Sequence, residues 1–284
     1  MPELPEVEVL RCHLEPLLRG KRIEGVRVLK SRVVRPESPR QLERGIDLCS
    51  IRGVGRKGKF LWLNLAWPRS RSTFPLTVHL GMTGRLYTQG ADDWLPKHAA
   101  VVFDLGRERL VFKDPRSFGR VTLGTESIDQ LGPDALSVEF TAAHLSEAFE
   151  RTGQAVKVRL MDQKRIAGLG NIYACEVLHR AKVSPVAPAS GLRLAKVKAL
   201  HRAIRATLSQ QIALGLKLDL DFAGEMKSDG LFYFGSALGQ ARQPKESFRV
   251  YGREGKPCGF CGSEIERIEQ AKRGTFFCPR CQRD

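Results

Sequence analysis

Residues 60–112 read FLWLNLAWPRSRSTFPLTVHLGMTGRLYTQGADDWLPKHAAVVFDLGRERLVF. Four short apolar runs stand out in them, FLWLNL (60–65), LTVHLGM (76–82), AVVFDL (100–105) and RLVF (109–112), divided by Gly, Pro or charged breaks. Such runs are strands. With no helix-length segment between them, they pair antiparallel rather than through βαβ crossovers. Gly106-Arg107-Glu108 reads as a hairpin turn. The same texture extends from about Ile23 to Leu123 and predicts an antiparallel sandwich or barrel.

The pattern changes on both sides of this block. Toward the N-terminus, Val7, Leu10, Leu14, Leu17 and Leu18 fall at helical spacing, with Pro5 in a first-turn position, so one amphipathic helix over 5–18 opens the chain. After Leu131-Gly132-Pro133 helical periodicity returns, in Thr141–Arg151 and in Leu192–Leu214, where Val197, Leu200, Ile204, Leu208 and Ile212 form one stripe. Between them IAGLGNIYACEVL (166–178) has the glycines of a tight connection between helices. Segment 215–245, rich in Gly, Asp, Lys and Gln, reads as a long mobile loop. The expected domains are therefore 1–132, a β-sandwich; 133–245, helical and ending in that loop; and 246–284, a small metal module. At about 150 residues per domain, 284 residues allow more than one core.

Lys plus Arg number 47 against 31 for Asp plus Glu, a formal charge of +16 in a chain that is 42% hydrophobic. That hydrophobic content excludes general disorder, and the excess charge points to a polyanion. The charge is concentrated. Leu48–Ala91 holds seven basic residues and no acid, and Val177–Leu218 holds eight and no acid. Basic segments from both the β and the helical parts suit a phosphate backbone better than two unrelated solvated faces. MPELPEVEVL carries no secretory apolar core, and no run of about eighteen uncharged apolar residues occurs. The expectation is a cytoplasmic, nucleoid-associated protein with no membrane partner.

Two constellations carry chemistry. Cys258-x-x-Cys261 and Cys278-x-x-Cys281, separated by sixteen residues, fit a four-thiolate template for one structural Zn2+. With every corner filled by sulfur the metal has no open position. It would hold a β-hairpin whose turn carries Lys272, Arg273 and Gly274. Cys12, Cys49 and Cys175 read as small buried residues or bystanders. The second constellation is the N-terminus, where removal of the initiator methionine would leave Pro2 with a free secondary amine. An α-amino group titrates near ~7.7–8.0 against ~10.4 for lysine, so part of it is a neutral nucleophile at cellular pH. Attack on a sugar carbon yields an iminium that acidifies a neighbouring proton. Glu3 and Glu6 lie close by for acid–base work, although first-turn carboxylates also suit a helix dipole on their own.

In order along the chain, PELPEVE, HLGMTG, DPRSFG, GLGNIYACE and YGREGKPC followed by RGTFFCPRCQ resemble the formamidopyrimidine-DNA glycosylase family. The likeness runs from Pro2 to Gln282 and is weakest over 215–249. It implies an α+β multidomain fold: an N-terminal antiparallel β-sandwich with a catalytic helix, a helix-two-turn-helix domain and a zinc-finger hairpin. It also implies a base excision repair glycosylase and abasic-site lyase, acting as a monomer on double-stranded DNA with a damaged base or abasic site. Pro2 would be the nucleophile, Glu3 the proton shuttle and Glu6 a supporting carboxylate. Lys59, His79, Asn171 and Arg273 match phosphate-gripping residues. Met82, Arg116 and Phe118 match the set that fills the void left by an extruded base, where plain core packing would otherwise be the reading for Met82 and Phe118. A Met-Arg-Phe set resembles the purine-lesion branch, so 8-oxoguanine and formamidopyrimidines are the implied substrates. Oxidised-pyrimidine specificity, a non-catalytic binder of damaged DNA and a zinc-ribbon RNA-binding protein are the alternatives. The chain departs from the family pattern at ALGLKLDLDFAGEMKSDG (213–230), where a Gly-Gly-Thr-rich stretch is usual, and at Ser117, where a second arginine is common.

Overall fold

The computed structural model describes residues 2–218, 220–222, 235–236 and 248–283. They form two compact units, Met1–Asp129 with Gly215–Lys245, and Gln130–Leu214 with Glu246–Asp284.

The first unit opens with α1 (Leu4–Leu18) and continues with β1 (Gly25–Val28), α2 (Pro39–Ile46), β2 (Ser50–Lys57), β3 (Phe60–Ala66), β4 (Phe74–His79), β5 (Arg85–Gly90), β6 (Ala99–Asp104), β7 (Glu108–Lys113), β8 (Arg120–Leu123) and the single turn α3 (Glu126–Asp129). Two four-stranded antiparallel sheets result, in the orders β2-β3-β4-β8 and β1-β6-β7-β5. Register follows the side-chain pattern. Leu61, Leu63 and Leu65 of β3 are fully buried while Phe60, Trp62 and Asn64 are only half-buried. The uninterrupted apolar run of β6 instead has Ala99 to Phe103 buried throughout, as a strand covered on both faces must be. α2 lies inside the block read as purely β. Its local signal is present in SPRQ, where Ser38 Oγ accepts from Gln41 N–H, Gln41 Oε1 accepts from Ser38 N–H, and Pro39 starts the helix.

The second unit contains α4 (Ala142–Phe149), α5 (Val156–Leu160), α6 (Asn171–Ala181) and α7 (Leu194–Gly215). After the short pair β9 (Leu220–Asp221) and β10 (Gly235–Ser236), which belongs to the first unit, come β11 (Glu266–Gln270) and β12 (Arg273–Phe277). α1, α4 and α7 match the expected helices within two residues.

Two expectations change. The hairpin turn is Ala271-Lys272, both at positive φ (49° and 59°), so Arg273 and Gly274 begin the returning strand rather than forming the turn. Of segment 215–245, assigned from sequence to the helical domain, the described residues 220–222 lie in the first unit, where Leu220 and Phe222 are buried and Phe222 stacks on His13 of α1 at 4.1 Å. The mobile loop expected there otherwise falls on 219, 223–234 and 237–247, outside the described residues. Met1 and Asp284 lie outside them as well.

Candidate functional site

The N-terminal carboxylates are interior groups. Pro2 is buried, and Glu3 and Glu6 are 2% and 4% exposed. Glu3 caps α1 and Glu6 sits at the third helical position, where its Oε2 accepts from Glu3 N–H at 2.9 Å. This capping box fixes the backbone beside Pro2 and anchors one of the helix's unpaired N–H donors to a carboxylate. One turn on, Glu8 Oε2 accepts from Arg56 Nε at 2.6 Å, and Arg56 Nη1 donates to Gly58 O at 3.1 Å. Burial would push the Glu8 carboxyl up, but Arg11 and Arg56 hold it below the usual carboxylate range. The β2–β3 turn is therefore tied to α1. Gly58, at φ +57°, supplies the left-handed first corner, and the second corner is Lys59, 9% exposed.

His79, the last residue of β4, pairs in register with Phe60, and their rings lie 4.5 Å apart. Burial, then the charges of Lys59 and Arg120, bring its pKa down to about 4. The ring is neutral at ordinary pH. Nδ1 accepts from Gly81 N–H at 3.2 Å, which leaves the proton on Nε2 and makes that nitrogen a donor without charge.

Met82 and Arg116-Ser117-Phe118 occupy two turns pressed together at glycines. A Cβ on Gly81 would lie 2.6 Å from Gly119 N, and one on Gly119 would lie 2.8 Å from His79 O. The placing of glycine in HLGMTG and DPRSFG thus has a steric origin. Asp114, fully buried, organises both turns: Oδ1 accepts from Thr83 Oγ1 at 2.7 Å and Arg116 N–H at 3.1 Å, and Oδ2 from Gly119 N–H at 2.8 Å. The outcome is an exposed apolar pair, Met82 at 43% and Phe118 at 42%, with the Arg116 guanidinium 4.5 Å above the Phe118 ring. Plain core packing is excluded for both.

In the second unit, Asn171 is the first residue of α6, and its Nδ2 donates to Gly274 O at 2.9 Å, next to Arg273. Beneath them Lys157 of α5 is wholly buried and donates from Nζ to Asn171 Oδ1 at 2.6 Å and Thr275 Oγ1 at 2.7 Å. Sequence reading missed this lysine, because a single Lys between Val156 and Val158 gives no sign that its partners lie on α6 and β12. Glu176 was missed too. Its carboxylate accepts from the N–H groups of Arg249, Val250 and Tyr251, each at 2.9 Å. Here a signal existed, since an acid among Tyr173, Ala174, Val177 and Leu178 lies on an apolar helix face.

The Sγ atoms of Cys258, Cys261, Cys278 and Cys281 all lie within 4.8 Å of one another. Without a cation they cannot ionise together. Hydrogen bonds from Ser263 bring Cys261 down to about 6, whereas burial and then the neighbouring thiols push Cys281 up to about 12. A divalent ion removes that conflict, and four sulfurs at this spacing suit tetrahedral Zn2+ in a structural role. Cys49 and Cys175 are buried and Cys12 is half-buried, as expected of residues outside the metal site. Among the described residues no helix is long and apolar enough to cross a membrane.

Three family models match the chain: the formamidopyrimidine-DNA glycosylase N-terminal domain over residues 1–121, the glycosylase H2TH domain over 131–219, and the zinc finger found in FPG and IleRS over 255–283. A formamidopyrimidine-DNA glycosylase of Pelotomaculum thermopropionicum is 38% identical, covering 100% of this chain and 99% of that one. Its Bacillus subtilis counterpart is 35% identical, covering 99% of each. The Lactococcus lactis glycosylase bound non-covalently to DNA containing an abasic site superposes with a TM-score of 0.84 at 29% identity, covering 100% of both chains. A mutant of the same enzyme in complex with Fapy-dG DNA gives 0.83 at 30%, again covering 100% of both. With three domain models in order and full-length relatives above 30% identity, the chain belongs to the formamidopyrimidine-DNA glycosylase family.

Proposed function

We propose that the protein is a bifunctional base excision repair enzyme that removes oxidised or ring-opened purines from double-stranded DNA and then cleaves the abasic strand. The observation that carries this reading is the buried Pro2-Glu3-Glu6 group at the start of α1, with Glu6 holding the Glu3 backbone at 2.9 Å. The capping bond would serve any helix, but a secondary amine held beside a buried carboxylate is what the lyase chemistry needs and a simple DNA binder does not.

In the proposed reaction the neutral Pro2 nitrogen attacks C1′ of an extruded nucleotide, and the damaged base leaves with the glycosidic electron pair and takes up a proton. Glu3 protonates the ring oxygen, the sugar opens, and loss of the proline N–H proton gives the C1′ iminium. Removal of a C2′ proton expels the 3′ phosphate, a second elimination expels the 5′ phosphate, and water releases the sugar remnant from Pro2. Lys59 and the uncharged Nε2–H of His79 would hold phosphates from the first unit, and Asn171 and Arg273 from the second. Met82 and Phe118 would wedge the opened stack while Arg116 bonds the orphaned base. The zinc supports the hairpin that carries Arg273 and takes no part in the chemistry.

Support for lesion class comes from the Met82, Arg116 and Phe118 set and from the Lactococcus complex with Fapy-dG DNA. That enzyme has also been captured with an oxidised pyrimidine, so excision should be measured on both base classes. Borohydride reduction with abasic duplex DNA tests the mechanism. A covalent adduct that is lost in Pro2→Gly supports it, and the absence of adduct from protein with a verified free Pro2 overturns it.

A further inference from the structure

The zinc thiolates have a histidine neighbour outside the ligand set. His179 lies on the same stripe of α6 as Asn171 and Cys175, at successive four-residue intervals, and is 1% exposed. Its Nε2 is 3.4 Å from Cys258 Sγ. It does not belong to the group of mutually reachable donors, which contains only the four sulfurs among the described residues. The other ring nitrogen, Nδ1, is buried with no partner among the described residues. Of the two ring nitrogens, only Nε2 faces an acceptor, so the N–H that the ring donates is the one directed at sulfur.

We propose that His179 is an outer-shell partner of the zinc site, donating an Nε2–H···Sγ hydrogen bond to the Cys258 thiolate. Four thiolates around Zn2+ leave a charge of −2, which the protein must accommodate in a core made of Cys175, Val250, Ile265 and the ligands Cys258 and Cys278. A hydrogen bond to sulfur withdraws part of that charge. The surroundings have the matching sign. A cavity of about 230 Å³ beside the ring is lined by His179, Arg249, Arg253, Gly259 and Phe260, with no acid among them. Phe260, in the first Cys-x-x-Cys loop, stacks on His179 at 5.3 Å, and the Arg249 guanidinium lies over the Phe260 ring at 4.9 Å. The His179 ring therefore cannot swing from the sulfur without breaking this stack. His179 is a positioning residue. It registers the metal knuckle against the helix whose first residue is Asn171.

The test uses the full-length zinc-loaded protein and two variants. His179→Phe keeps a flat ring and loses the donor, while His179→Gln keeps a donor. Zinc release to a chromophoric chelator should be ~10–100-fold faster in His179→Phe and partly restored in His179→Gln. With Co2+ in place of Zn2+, the sulfur-to-metal charge-transfer band should move to longer wavelength in His179→Phe, because an unbonded thiolate is a better electron donor. Faster release with an unmoved cobalt band would mean that the ring only packs, and the proposal would fail. A wild-type release rate in His179→Phe would overturn it as well.

Discussion

Lys157 Nζ and Asn171 Oδ1 are 2.6 Å apart in the interior of the second unit, and the Asn171 amide passes the contact on to Gly274 O at 2.9 Å. One buried ammonium therefore orients the first residue of α6 and the strand that begins at Arg273. Replacing Lys157 by Met would leave Asn171 Oδ1 and Thr275 Oγ1 without their charged donor. At ~1.5–3 kcal/mol per hydrogen bond to a charged group, the loss should be about 3 kcal/mol or more in urea unfolding. Affinity for abasic duplex should fall with it, even though we assign the side chain no phosphate contact. Unchanged affinity in a folded Lys157→Met protein would show that Asn171 needs no such support.

Asp114 holds the Met82 and Phe118 turns through three hydrogen bonds. Asp114→Ala strands the N–H groups of Arg116 and Gly119, with an expected cost of about 2–4 kcal/mol. Its functional signature should be selective. Discrimination between lesion-containing and undamaged duplex should collapse more than total DNA binding does, as measured by competition titration. Equal loss on both duplexes would contradict the wedge assignment.

His79 has a folded pKa of about 4 against an ordinary 6.5. Its neutral form is favoured by folding, so its contribution to stability is fully present above pH 6.5 and declines as the pH falls toward 4. Subtracting the urea midpoints of His79→Gln from those of the wild-type protein should isolate a component with that slope. A flat difference between about pH 7 and 4 would mean that the ring is not the desolvated neutral donor described above.

Stripping the zinc should unravel the knuckle around Cys258 and Cys278, whose side chains are part of its small core. Chelation at neutral pH is expected to abolish specific binding of abasic duplex, and readdition of Zn2+ to restore it. The first unit has its own core of Leu61, Leu63, Val101 and Phe103, and its unfolding transition in calorimetry should survive the treatment.

Ala271 and Lys272 form the hairpin tip with both residues in the left-handed region, which costs a non-glycine residue about 1 kcal/mol or more. Ala271→Asn, the residue preferred at such a corner, should raise the thermal midpoint of the second unit by a small increment. An unchanged or lower midpoint would indicate that the tip is not strained.

The zinc site and the opening helix beside Pro2, Glu3 and Glu6 could be read along the chain because each depends on residues close in sequence. A thiolate pair two residues apart, a proline in a first turn and a period of 3.6 or 2 are local patterns, and local patterns survive without coordinates. The tertiary structure alone decided which polar side chains the interior would accept. Lys157 meets Thr275 across 118 positions, Glu176 meets Tyr251 across 75, and Arg56 meets Glu8 across 48. Nothing in the local sequence of Lys157 or Arg56 distinguishes either from a solvated surface charge. Burial removes water from an ion and leaves only the partners that the fold carries to it, so these roles came into being with the packing.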